Sequence, residues 1–319
     1  METRSTTNLV PLLACLCAGC AALPSAVVKI GPDDAGTRIP GLDLCDANSP
    51  GIVDLDPARP IVLLVHGCNS SGGRFRALSR VFEAHGQQAV CFNYDDRDSL
   101  VDASAELIRA IEALKRRLPP QQLTILAHSQ GGLVARRALI RDRADALRTG
   151  DGFAYRLLTV SSPFGGIRSS SDCGKTWLHA LTLGLTWIVC EGIAGRKWDE
   201  IPPGSRFIEN PGELLEEVRE VLKVVTDERG TCRRMGRNGK CAEDDYVFSL
   251  DEQRQPKVDA DPRLHPMEVA AGHVEIVGTE GLVPVKLIAL MQEQGILART
   301  PPERRERVAR LLREIYRAR

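Results

Sequence analysis

Residues 123–136, LTILAHSQGGLVAR, constrain this chain more than any other stretch. Residues 123–126 are an apolar run of strand formers. From Leu133 to Ile140 the apolar residues recur at helical spacing, with Leu133, Val134, Ala138 and Leu139 on or near one face. Only AHSQGG lies between, so the chain must turn sharply with Ser129 at the tip. A turn this tight needs small residues two before and two after the serine, because larger side chains would strike the adjoining strand and helix. Ala127 and Gly131, followed by Gly132, satisfy that requirement, Ala127 being one methyl larger than the glycine of the G-x-S-x-G pattern. The plainer alternative is a serine in a Gly-rich surface loop, which needs neither a strand before it nor a helix after it.

The segment resembles the nucleophile elbow of α/β-hydrolases, in particular of bacterial lipases, several of which carry A-H-S-x-G. The resemblance implies an α/β-hydrolase fold, a mostly parallel central sheet flanked by helices. It also implies Ser129 as nucleophile, with an acid and then a histidine later in the chain. Upstream, IVLLVHG (61–67) follows Arg59-Pro60 and reads as a strand buried on both faces. It ends in His66-Gly67-Cys68-Asn69 and a Ser/Gly loop. By resemblance to lipase-like hydrolases this loop supplies half of an oxyanion hole, the backbone N–H of Cys68, with that of Gln130 as the second donor. His66 falls too early to be the base and is read as a buried histidine packing the loop.

The intervening chain reads as a helix over 74–85, a strand in QQAVCFNYD and a helix over 99–118 closed by Pro119-Pro120. Such a βαβ series builds a parallel sheet with helices on both faces. Residues 155–161 are the next strand, running into Ser162-Pro163-Phe164-Gly165-Gly166, which resembles the T-P-x-x-G turn of lipases. Between 167 and 210 the rhythm breaks. Residues 176–194 are apolar on nearly all sides, either a core helix or a lid, and 198–214 resemble the P-G-S-x-F/L stretch of lipases. Residues 211–228 read as a charged helix.

Glu243-Asp244-Asp245-Tyr246-Val247-Phe248-Ser249 is a loosened form of the D-G-x-V-x-x-x-S pattern of these hydrolases. It makes Asp245 the expected acid, with Asp244 as the alternative. Gly272-His273 resembles the way the family presents its base, and His265 is the competitor. The expected site is therefore Ser129, Asp245 and His273.

Composition removes other classes. The 319 residues carry 42 basic and 42 acidic side chains, against the basic footprint that nucleic acid requires. No metal is expected, since no CxxC follows Cys20 and the six histidines are scattered. The implied chemistry needs no cofactor. Arg4 and the apolar residues 9–22 have the parts of a secretory signal. CAGC-AALP resembles a lipobox with Cys20 as the lipidated residue, Cys15 being the weaker candidate and simple signal cleavage the alternative. Such a chain would be exported to the bacterial cell envelope, facing the periplasm and tethered to a membrane surface. Signal (1–20), tether and irregular lead-in (21–59, with a short edge strand near 26–30), hydrolase domain (60–300) and basic C-terminal helix (301–319) follow in order. Of seven cysteines beyond Cys20, one must stay unpaired; Cys232–Cys241 and Cys173–Cys190 are the expected bridges. The tail helix sets an Arg-rich face opposite Val308, Leu311, Leu312 and Ile315, to dock on the core or to meet anionic phospholipid. The expected partner is a lipid or ester substrate, cleaved through an acyl-enzyme. Acyl transfer, thioester cleavage and a non-catalytic lipid-binding lipoprotein are the rivals.

Overall fold

The computed structural model describes residues 25–31, 33–45, 51–68, 70–143, 147–170 and 195–317. Its centre is a seven-stranded sheet in the order β12-β9-β8-β7-β5-β6-β3. The strands are β3 (Leu42–Asp43), β5 (Ile61–Val65), β6 (Gln88–Phe92), β7 (Gln122–His128), β8 (Ala154–Val160), β9 (Val218–Asp227) and β12 (Leu264–Ala270). All neighbours pair in parallel except β3, which runs antiparallel along β6. A strand covered on both faces has no polar side to show, and every residue of β5 is buried. The period-2 pleat divides them. Ile61, Leu63 and Val65 enter one apolar cluster, while Val62 and Leu64 enter the other.

Helices α1 (Arg76–Ala84), α2 (Leu100–Lys115) and α3 (Gln130–Ala138) connect the early strands. Ser99 caps α2, its hydroxyl accepting from the N–H groups of Val101 and Asp102. Leu107, Ile108, Ile111 and Leu114 of α2 pack into the first cluster. The second cluster lies under α1 and α4 (Val285–Glu293), with Tyr316 at the end of α5 (Arg305–Ile315).

Two expectations are corrected. Residues 211–228 are not a helix: Val218–Asp227 is β9, an interior strand. Its charges at Glu216, Glu217, Arg219 and Glu220 mimic a helical face. However, Val218, Val221, Val224, Val225 and Thr226 are β-branched, and a slot between β8 and β12 outweighs local propensity. The lead-in is also more ordered than expected. Beyond the strand expected near 26–30 (β1, Ser25–Ile30), β2 (Thr37–Pro40) and β4 (Ile52–Leu55) complete a small side sheet, and β3 edges the main one. At the other edge of the main sheet, β12 carries Pro266, which is tolerated because the strand lies at the sheet edge.

Among the described residues two disulfides are present, the expected Cys232–Cys241 and an unanticipated Cys45–Cys91, while Cys68 is a free thiol. Cys45–Cys91 fastens β3 to the main sheet, and Cys232–Cys241 closes the hairpin of β10 (Cys232–Met235) and β11 (Cys241–Asp244). Such bridges suit an oxidising compartment and an exported protein. Among the described residues no helix is long and apolar enough to cross a membrane. Cys20, the Cys173–Cys190 pair and the apolar segment 176–194 lie outside the described residues.

Candidate active site

Ser129 sits between β7 and α3 with φ 57° and ψ −131°, a left-handed conformation that a non-glycine residue adopts only where its surroundings enforce it. The enforcement is local. Ser129 N–H donates to Val160 O on β8, and α3 begins with the next residue. The turn leaves no room for side chains on its flanks. A Cβ on Gly131 would collide with the main-chain oxygens of Val65 and His66, and one on Gly67 would come within 2.7 Å of the Ser129 Cβ. The second contact also shows that the chain at Gly67 lies directly against the serine. Gln130 opens α3, where backbone N–H groups have no helical acceptor.

His273 follows β12 and lies beside the elbow. His128, the neighbour of Ser129, donates from Nε2 to His273 O at 2.9 Å, and the two rings stand 4.6 Å apart. Phe248 packs edge-on at 5.0 Å. His265, by contrast, is exposed on β12, away from the elbow.

The carboxylate that meets the imidazole is Glu228, not Asp245. His273 Nδ1 is 3.0 Å from Glu228 Oε1 and 2.8 Å from Ser161 Oγ. Glu228 is buried at the end of β9. Its Oε1 also accepts from Ser161 at 2.7 Å and Thr226 at 2.9 Å, while Oε2 accepts the N–H groups of Val247 at 2.5 Å and Phe248 at 2.8 Å. Burial pushes this carboxyl up, but the hydrogen bond and charge of His273, with the Ser161 and Phe248 donors, hold it below the usual value. Ser161 has φ 47°, a second non-glycine residue with positive φ at the site.

Asp245 is buried and near the same loop, but its carboxylate is committed elsewhere. It accepts from Val274 N at 3.0 Å, Glu275 N at 2.9 Å and Arg233 Nη2 at 3.0 Å. Its main-chain oxygen takes His273 N–H at 3.0 Å. Asp245 thus holds the backbone that carries His273 and does not face the ring. The alternative, Asp244, is exposed and bonds Tyr246 N. Glu228 escaped the sequence reading because it ends a segment taken for a helix. The β-branched run before it was the available signal.

Lys197 was also missed. It is 3% exposed, and its Nζ reaches Gln130 Oε1 at 2.6 Å, Cys68 Sγ at 3.1 Å and the main-chain oxygen of Asp96. One ammonium therefore ties together the two residues expected to supply the oxyanion donors. His66 packs as expected, stacked on Tyr94 with ring centroids 4.5 Å apart. Among the described residues no group of three His, Cys, Asp or Glu could hold a metal ion.

No family model and no curated protein matches this sequence. Solved structures do. The propeptide form of Bacillus licheniformis lipase BlEst2 aligns over 82% of this chain and 54% of its own, with TM-score 0.54 and 15% identity. This chain therefore spans about half of that one. The mature form aligns over 75% and 93%, with TM-score 0.48 and 15% identity. An esterase of Pyrococcus furiosus aligns over 75% and 82%, with TM-score 0.42 and 15% identity. The chain has the α/β-hydrolase fold. In this α/β-hydrolase fold the elbow serine, Glu228 and His273 all lie at the C-terminal edge of the parallel strands, where open α/β sheets hold their ligands.

The two histidines behind the site predict a pH response. Burial holds His128 well below its usual value, reinforced by the charge of His273, and burial also lowers His66. Both therefore take up a proton less readily in the folded chain than in the unfolded one, which does so below about pH 6.5. Stability should therefore fall as pH drops below that point, by up to about 1.4 kcal/mol per pH unit for each histidine. Glu228 acts lower. Its contribution is present above the unfolded carboxyl value and is lost as pH falls through its depressed one. Urea unfolding at pH 7.5, 6.0 and 5.0 measures the slope, and His128→Gln should flatten it. Equal stability at all three values would contradict the lowered, buried histidines.

Proposed function

We propose that this chain is a serine hydrolase of carboxylic esters acting through an acyl-enzyme. The observation that carries the proposal is the strained Ser129 beside a histidine whose Nδ1 is held by the buried carboxylate of Glu228. That contact fixes the hydrogen on Nδ1 and leaves Nε2 as the basic nitrogen. Nε2 takes the Ser129 proton as Oγ attacks the ester carbonyl. The N–H groups of Cys68 and Gln130 receive the developing oxyanion, and such donors are each worth about a hundredfold to a thousandfold in rate. Protonated His273 then gives its proton to the departing alcohol, and water repeats the sequence on the acyl-enzyme to release the acid.

Asp245 has a different part: it positions the His273 loop. A fatty-acyl preference rests on the apolar character of 176–194 and on the expected membrane tether at Cys20. Thioester cleavage and acyl transfer share the same acyl-enzyme and differ in leaving group or acceptor.

A fluorophosphonate probe tests the proposal. The wild-type chain should label, while Ser129→Ala and His273→Ala should not. Nitrophenyl esters of increasing chain length, run against matched thioesters, then rank the substrates. A folded wild type that fails to label would leave the non-catalytic lipid-binding reading in its place.

A further inference from the structure

A cleft of about 420 Å³ opens between α1, the 278–280 turn and the C-terminal end of α5. Arg74, Arg76, Arg80 and Arg317 line it, against two carboxylates, Glu280 and Glu314. Among the described residues Arg74, Arg80 and Arg317 make no ion pair, so their guanidinium N–H groups remain available. In a chain of zero formal net charge this is a local excess of positive charge.

The excess continues past the active site. Arg74 lies close enough to Arg233 and Asp245 to feel both charges, and Arg233 belongs to the disulfide-closed hairpin. Residues 233–240 of that hairpin read RRMGRNGK, four cations with no acid. Arg233 and Arg234 are partly offset by Glu243, but Arg237 and Lys240 have no ion pair among the described residues. Met235 stands out from the same hairpin, 61% exposed.

We propose that this face is a seat for an anionic phospholipid surface, with the arginine cleft receiving a headgroup phosphate. Guanidinium groups match phosphate oxygens in pairs and in charge. The hairpin decides between a membrane and a soluble anion: cations around one protruding apolar side chain suit an interface, where the cations meet phosphates and Met235 enters the acyl boundary. A free phosphate would use the cleft and leave the hairpin idle. The seat also brings the Glu228–His273 side of the molecule toward the lipid, because Arg233 and Asp245 connect the hairpin to the His273 loop.

The full chain is mixed with phosphatidylcholine vesicles and with vesicles containing phosphatidylglycerol, in low and high salt, and bound protein is measured by sedimentation. The readout is the ratio of anionic to neutral partition, to which an apolar N-terminal segment contributes equally in both arms. Wild type should favour the anionic vesicles, and high salt should erase the preference. Each neutralisation among Arg80→Gln, Arg237→Gln, Lys240→Gln and Arg317→Gln should lower the ratio about fivefold, and the four together on the order of several hundredfold. None of these residues serves the proposed chemistry, so hydrolysis of a short soluble nitrophenyl ester should stay unchanged in the variants and separates this idea from the hydrolase reading. Equal partition into both vesicles overturns the seat. So does thermal stabilisation by inorganic phosphate without vesicle preference, or equally tight binding to duplex DNA.

Discussion

Glu228→Gln should lower kcat/KM on a nitrophenyl ester by about ten-thousandfold, with the fold intact. The size follows from which way the new amide must point. Glu228 Oε2 takes two main-chain N–H groups, those of Val247 and Phe248, and these donors cannot be rearranged. The amide oxygen must face them, which turns its NH₂ toward His273 Nδ1 and Ser161. An NH₂ there forces Nδ1 to accept, so the imidazole hydrogen moves to Nε2 and the base nitrogen is lost. Asp245→Asn should behave differently. It weakens the Arg233 ion pair and the turn at Val274 and Glu275, costing about 2 kcal/mol of stability and far less rate. Parallel kinetics and urea unfolding on the two variants compare them. The opposite pattern, with Asp245→Asn inactive and Glu228→Gln active, would restore Asp245 as the acid.

Lys197→Met should reduce kcat on the order of a hundredfold while changing KM little. The lysine ammonium contacts no substrate in the proposed chemistry, so its influence is on the placement of Gln130 and Cys68. With methionine there, Gln130 Oε1 and the Asp96 carbonyl lose a donor inside the protein, and the two N–H groups aimed at the oxyanion lose their common tie. Misplacement of about 1 Å is enough for a loss of this order. Because oxyanion donors strengthen their bonds only as charge develops, the loss should fall on kcat. Melting temperature checks that the variant is folded. A folded Lys197→Met with wild-type kcat would reduce the lysine to a packing element.

Residues 123–136 carry their own structure in their order. Small residues around Ser129 are required by a turn whose neighbours leave no space for a side chain at Gly131, and that constraint acts over a few residues. The same holds for the apolar run of β5 and for Cys232–Cys241, nine residues apart along one hairpin. The α/β-hydrolase fold, Ser129 and the turn bearing His273 were therefore open to inspection in the sequence.

The identity of the carboxylate was not. Glu228 lies 45 residues before His273 in a stretch crowded with acids, and nothing local separates it from Glu216 or Glu217. Only when β8, β9 and β12 align in parallel do the ends of these strands bring Ser161, Glu228 and His273 together. Lys197 is the same case: its partners Cys68 and Gln130 lie 129 and 67 residues away, and its burial depends on all three arriving at one point. Short-range sterics wrote the elbow into the sequence. The partners of His273 and of the residues Cys68 and Gln130 were decided by strand pairing, because contacts between distant segments leave no local pattern to read.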